Sequence, residues 1–146
     1  MSINSIKNDL EGVATRVNNF ILSNLHGHPR ELYLASSFYL GSGGKRLRPF
    51  MVIKSGEMLG GSEANAMPSA AAVEMIHNFS LIHDDIMDND DLRHGKLTVH
   101  KKYGVPLALL AGDILFSKAF EIFCPSFTSH IIKFIIELNS LQIFAN

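Results

Sequence analysis

The sequence predicts an all-α helical bundle, and three observations predict it. Apolar residues recur at spacings of three and four along most of the chain, as one face of a helix requires. Gly and Pro clusters interrupt that pattern only where helices must turn. No segment carries a strong strand signal. With 146 residues, 47% hydrophobic and 18% charged, the chain has the length of one domain and the means to bury a core.

The first helix runs from Ile3 to Leu25, with Ile3, Ile6, Leu10, Val13, Val17, Phe20 and Ile21 on one stripe. His26-Gly27-His28-Pro29 ends it. A second helix spans Arg30 to Leu40, with Leu32, Tyr33, Ala35 and Phe38 as core contacts. Gly41-Ser42-Gly43-Gly44 is a loop. A third helix begins at Arg46 or Pro49 and runs to Leu59. Proline fits its first turn, where the missing N–H costs little, and Gly60-Gly61 closes it. Ala64 to Met87 is a long apolar helix in which Ala70, Ala71 and Ala72 allow close packing. Asn89 to Thr98 is polar and expected as loop, and Val99 to Tyr103 is a short helical turn. Pro106 to Phe123 is a further helix, ended by Pro125. Phe127 to Phe144 is a last helical candidate.

Composition excludes several classes of function. The net charge is −1, so no global basic field argues for nucleic acid. One cysteine, Cys124, cannot form an internal disulfide, which fits a reducing cytoplasm. No basic-then-apolar leader opens the chain, and no apolar run reaches transmembrane length. There is no Ser, Cys or His triad, no Cys/His zinc spacing and no GxxxxGK[ST] phosphate loop.

The chemistry gathers at Asp84-Asp85-Ile86-Met87-Asp88. Asp84 and Asp88 are four apart, so a helix places them on one face. Two like charges there oppose each other. A hard divalent cation such as Mg2+ suits them, bound through one or two carboxylates plus substrate phosphates. Read alone, such a run is more often a solvated helix end with extra acidic residues. Upstream, Lys45, Arg46 and Arg48 sit at a helix start, where anions bind readily. Downstream, Arg93-His94-Gly95-Lys96 adds cations in a polar loop. His77 lies two turns before Asp84 on the same face, although a lone histidine there is more often a core residue. His83 has no assigned role. His100 and Lys101 are positioning candidates, and Asp113 is a carboxylate in a mostly apolar helix.

Gly44-Lys45-Arg46-Leu47-Arg48-Pro49, Leu81 to Asp88, Asp91 to Lys96 and Ala111-Gly112-Asp113 resemble, in order and spacing, the trans-isoprenyl (polyprenyl) diphosphate synthases. The resemblance covers about Ile3 to Glu121. It implies an isoprenoid-synthase fold and a reaction joining isopentenyl diphosphate to an allylic diphosphate. It implies Mg2+ as cofactor, a homodimer, and isopentenyl diphosphate contacts at Lys45, Arg48 and His77. It further implies metal ligands at Asp84 and Asp88, with Arg93 on the allylic diphosphate. Phe79 and Ser80, before the first aspartate, correspond to the floor for the growing chain. In type they look like the archaeal geranylgeranyl diphosphate synthases, with farnesyl-forming enzymes next.

The sequence also departs from that pattern. His94 stands where the family has a second arginine, so this isopentenyl diphosphate contact rests on a partly charged side chain. Leu97 replaces a usual proline. Nothing after Asp113 supplies the family's second aspartate-rich motif. The expected organisation is therefore residues 1–122 as the N-terminal part of a synthase domain and residues 123–146 as a divergent, helical tail. The expected activity of such a truncated chain alone is little or none. The alternative is a non-catalytic fragment or a dimerising partner of a full-length synthase. A head-to-head prenyl synthase or terpene cyclase would not need the Gly44–Pro49 motif.

Overall fold

The computed structural model describes residues 3–124. Among these residues the chain is helical apart from one hairpin. Helix α1 spans Ile3–Asn24, α2 Arg30–Ser36, α3 Leu47–Met58, α4 Glu63–Met87, α5 Val99–Tyr103 and α6 Val105–Phe123. A 3-10 turn at Leu40–Ser42 follows α2. The helical tail expected beyond Cys124 lies outside the described residues.

Helix α4 is the centre of the bundle. It packs on α6, α3 and α1, and α6 also takes α2 and α5. Val13, Val17 and Ile21 of α1 meet Ala71, Met75 and Ile82 of α4 in one core with Ile53, Ala108, Ala111 and Leu115. Small residues let α4 and α6 approach. At Gly112 an added Cβ would collide with the His83 ring, so glycine there brings α6 against α4 close to Asp84. Ser62 caps α4 by accepting from the Asn65 N–H at 3.2 Å. Gly60, at φ +84°, ends α3 as the left-handed residue such ends favour.

Three expectations are corrected. Helix α2 stops at Ser36 rather than Leu40. The Ser36 and Ser37 hydroxyls donate back to the Leu32 and Leu34 carbonyls, which offers the backbone a local alternative to helix. Residues 89–98 are not all loop: β1 (Leu92–Arg93) and β2 (Lys96–Leu97) form an antiparallel hairpin. His94 (φ 49°) and Gly95 (φ 78°) are its two turn residues, with the positive φ values of a type I′ turn. Ile6, expected on the core stripe, is 44% exposed.

Candidate diphosphate and metal site

Helix α4 carries two adjacent polar stripes. The outer one is His77, Asp84 and, at the helix's C-terminal cap, Asp88, with the apolar Leu81 between the first two, at successive spacings of four, three and four. The inner one is Glu74, Asn78 and Asp85, all buried. Burying a carboxylate is costly unless it is paired, and each of the two acids holds one arginine. Glu74 pairs with Arg46 at 3.2 Å, with side-chain exposures of 3% and 6%. Asp85 takes Arg93 Nε at 2.8 Å and Nη2 at 2.6 Å. The two basic segments flagged by sequence are thus clamped onto the same helix.

Arg46 is consequently not a free cation at the start of α3. It sits in the left-handed region (φ 48°) and donates to Asn18 Oδ1 and to the Gly43 and Leu40 carbonyls. Burial holds the Glu74 carboxyl above its ordinary range, and the Arg46 charge and the Asn78 amide offset this only in part. The Tyr39 hydroxyl donates to Asp85 Oδ2. Burial first, then that hydrogen bond, pushes Tyr39 up, so it remains a donor.

Above this layer opens a cleft of about 350 Å³ whose lining includes Leu81 together with His77, Arg93, His94 and Lys96. The type I′ turn sets Arg93 and Lys96 opposite each other across the hairpin. Arg48 is exposed and lies at the edge, its Nη1 3.2 Å from His77 Nε2. Lys45 is placed elsewhere, in a depression against α1 lined by Ile6, Leu10 and Ala14. Of the residues singled out by sequence, the fold therefore brings together His77, Arg48, Arg93 and His94 but not Lys45. Lys96, flagged with Arg93 and His94, also lines the cleft, whereas Tyr39, Glu74 and Asn78 were missed. The signal for the inner stripe was present, as polar residues spaced four and seven apart inside an apolar helix.

His77 is half-buried and its pKa is lowered, first by burial and then by the charges of Arg48, Arg46 and Arg93. A histidine with a depressed folded-state pKa contributes stability that is present above its ordinary value of 6.5 and lost as pH falls through the folded value. Thermal melts should therefore show a loss of stability below pH 6.5, and His77→Gln should remove that component. An unchanged pH profile in the variant would contradict the assignment.

Asp84 and Asp88 lie further along the outer stripe, exposed. Neither has an ion pair or side-chain hydrogen bond among the described residues, in contrast to Asp85. Two unpartnered oxygen-donor side chains one turn apart fit Mg2+. No group of three or more His, Cys, Asp or Glu suited to a metal occurs among the described residues. The pair would therefore hold the ion together with phosphate oxygens rather than as a protein cage.

Other candidates are placed as follows. The Phe79 ring lies 4.5 Å from His83 and 5.1 Å from Phe116, on the seam between α4 and α6. Ser80 donates to the His77 carbonyl at 2.9 Å. Asp113 is not buried; its side chain is 54% exposed, 3.8 Å from His83 Nε2. Lys101 pairs with Asp91 at 2.8 Å. His100 is buried with Nδ1 3.2 Å from Thr98 Oγ1. No helix among the described residues is long and apolar enough to cross a membrane.

The polyprenyl synthetase family model matches residues 29–143. A geranylgeranyl diphosphate synthase of Saccharolobus solfataricus is 50% identical over 112 residues, covering 77% of this chain and 32% of that protein. One from Methanosarcina mazei is 55% identical over 94 residues, covering 64% of this chain and 29% of that one. The crystal structure of the geranylgeranyl pyrophosphate synthetase of Pyrococcus horikoshii superposes with a TM-score of 0.79 at 41% identity, covering 92% of this chain and 43% of that one. The chain spans about a third of the length of the curated relatives it matches. By family-model match, by identity and by fold, the chain belongs to the polyprenyl synthetase family.

Proposed function

We propose that the chain serves Mg2+-dependent prenyl transfer, in which isopentenyl diphosphate is condensed with an allylic diphosphate to a short-chain prenyl diphosphate. Geranylgeranyl length is favoured and farnesyl length comes next. The observation that carries this reading is the outer stripe of α4. Unpartnered Asp84 and Asp88 continue the helix face of His77, beside a cleft lined by Arg93, His94 and Lys96. The names of the archaeal relatives support the product class.

In this reading Arg48 and His77, with His94, bind the diphosphate of isopentenyl diphosphate. Arg93 binds that of the allylic substrate. Bound Mg2+ supplies Lewis-acid stabilisation of the leaving diphosphate. Asp84 and Asp88 orient the metal-bearing diphosphate, and Arg93 stabilises charge that builds on its oxygens. Phe79, on the α4–α6 seam, and its neighbour Ser80 would limit the length of the growing chain. Lys45, turned toward α1, is a contact only if the Gly43–Gly44 loop turns it into the cleft. A homodimer accords with the exposed apolar residues Val73, Ile76, Phe116, Phe120 and Phe123 of α4 and α6. A single cysteine accords with a cytoplasmic setting.

Two separate diphosphate subsites are the testable core of this reading. The full chain with Mg2+ should bind isopentenyl diphosphate and an allylic diphosphate carrying different labels at the same time. Strict competition between the two would overturn it.

A further inference from the structure

Asp85 takes no part in holding the metal or either substrate as read above, yet three segments meet on it. Its Oδ1 accepts both Arg93 nitrogens, and its Oδ2 accepts the Tyr39 hydroxyl. The Tyr39 oxygen in turn accepts from the Val99 N–H at 3.3 Å. The Asp85 carbonyl accepts from the Asp90 N–H at 3.0 Å. The segment after α2, the end of α4 and strand β1 are thus joined at one carboxylate that is 1% exposed, and the start of α5 is tied to it through Tyr39. With both oxygens engaged, the carboxylate cannot rotate without breaking a bond to Tyr39 or to Arg93.

Arg93 stands on a two-residue strand opposite Lys96, so the hairpin itself offers it only a like charge. An unrestrained arginine loses rotamer freedom on gripping a ligand. Fixing it beforehand removes much of that cost from binding.

We propose that Tyr39 is a positioning residue for the diphosphate cleft: its hydroxyl locks Asp85, and Asp85 presents the Arg93 guanidinium to the ligand. The proposal rests on the reading of Arg93 as a diphosphate contact. It assigns a function to a tyrosine that lies far from the carboxylate motif in sequence. Tyr39→Phe removes one oxygen and keeps the ring beside Phe38, 5.7 Å away. It leaves Asp85 Oδ2 unsatisfied and free to turn, and Arg93 with it.

Two readouts on the full chain test the proposal. The first is hydrogen exchange at the Arg93 Nε–H by NMR, the resonance being assigned by its loss in Arg93→Lys. Exchange should be slow in the wild type and at least several-fold faster in Tyr39→Phe, with the helical circular-dichroism signal unchanged. The second is inorganic diphosphate affinity. It should fall about tenfold in Tyr39→Phe and show no further fall when Tyr39→Phe is added to Arg93→Gln, because the tyrosine acts only through the arginine. If Tyr39→Phe does not fold, Asp85→Asn, which keeps the shape and removes the charge, should give the same exchange result. An Arg93 Nε–H that is equally protected in the variant overturns the proposal, as does an undiminished tenfold effect in the Arg93→Gln background. A wild-type chain that binds no diphosphate, while Arg93 exchange still responds to Tyr39→Phe, overturns the diphosphate reading and upholds Tyr39 as the residue that positions Arg93.

Discussion

Asp84→Ala is expected to remove the Mg2+-dependent part of diphosphate binding, a loss on the order of 100-fold or more, since even an outer partner of a metal ligand is worth roughly 10–100-fold. Asp88→Ala should do the same. The distinguishing sign is stability. Neither carboxylate has a side-chain partner among the described residues, and as like charges one turn apart on α4 they repel. Each single substitution should therefore leave the melting temperature unchanged or raise it slightly, by ~0.2–0.5 kcal/mol of relieved repulsion. A helix end that merely faced solvent would show the same small gain in stability with no effect on metal dependence. Titration with diphosphate in Mg2+ and in chelator, beside a thermal melt, separates the two cases.

Breaking the buried Arg46–Glu74 pair should give the largest loss of stability. Removing one partner of such a pair costs about 3–5 kcal/mol, a large share of the ~5–15 kcal/mol that holds a domain together. Melting temperatures of Glu74→Ala and Arg46→Ala should fall by roughly 10–20 °C. The two should differ with pH. Arg46 cannot give up its proton, so Glu74→Ala leaves a fixed buried charge that keeps only Asn18 and the Gly43 and Leu40 carbonyls. Glu74 can be neutralised. Burial already holds its pKa above the ordinary 4.5, so its contribution to stability is fully present below 4.5 and is lost as pH rises through the folded value. Losing the Arg46 charge raises that value further. Acidification should therefore restore part of the stability of Arg46→Ala and none of that of Glu74→Ala. Equal pH responses would contradict the pairing.

The helical class was legible because it rests on periodicity, and the stripe Val13, Val17, Ile21 and the long α4 followed from it directly. The hairpin was not. Its strands are two residues each, too short for any alternation to register. Its local sign was an apolar–basic pair mirrored across His94-Gly95, two residues that adopt positive φ. In the site, the spacing of Asp84 and Asp88 reports their shared face. Spacing also makes Asp85 and Arg46 look like further members of their charge clusters. Tertiary packing reverses both. Asp85 lies one helical step round from Asp84 and is buried against Arg93 and Tyr39. Arg46 folds inward to Glu74, 28 residues on. No local pattern distinguishes a cation that meets solvent from one that meets a buried carboxylate on another helix.

The central claim is that α4 presents a metal-and-diphosphate face. Its most direct test is the affinity of the full chain for an allylic diphosphate measured as Mg2+ is titrated in and then removed with chelator. The expected result is affinity that rises with Mg2+, reverses with chelator, and loses its metal dependence in Asp84→Ala. Affinity that is the same with and without the metal would contradict it.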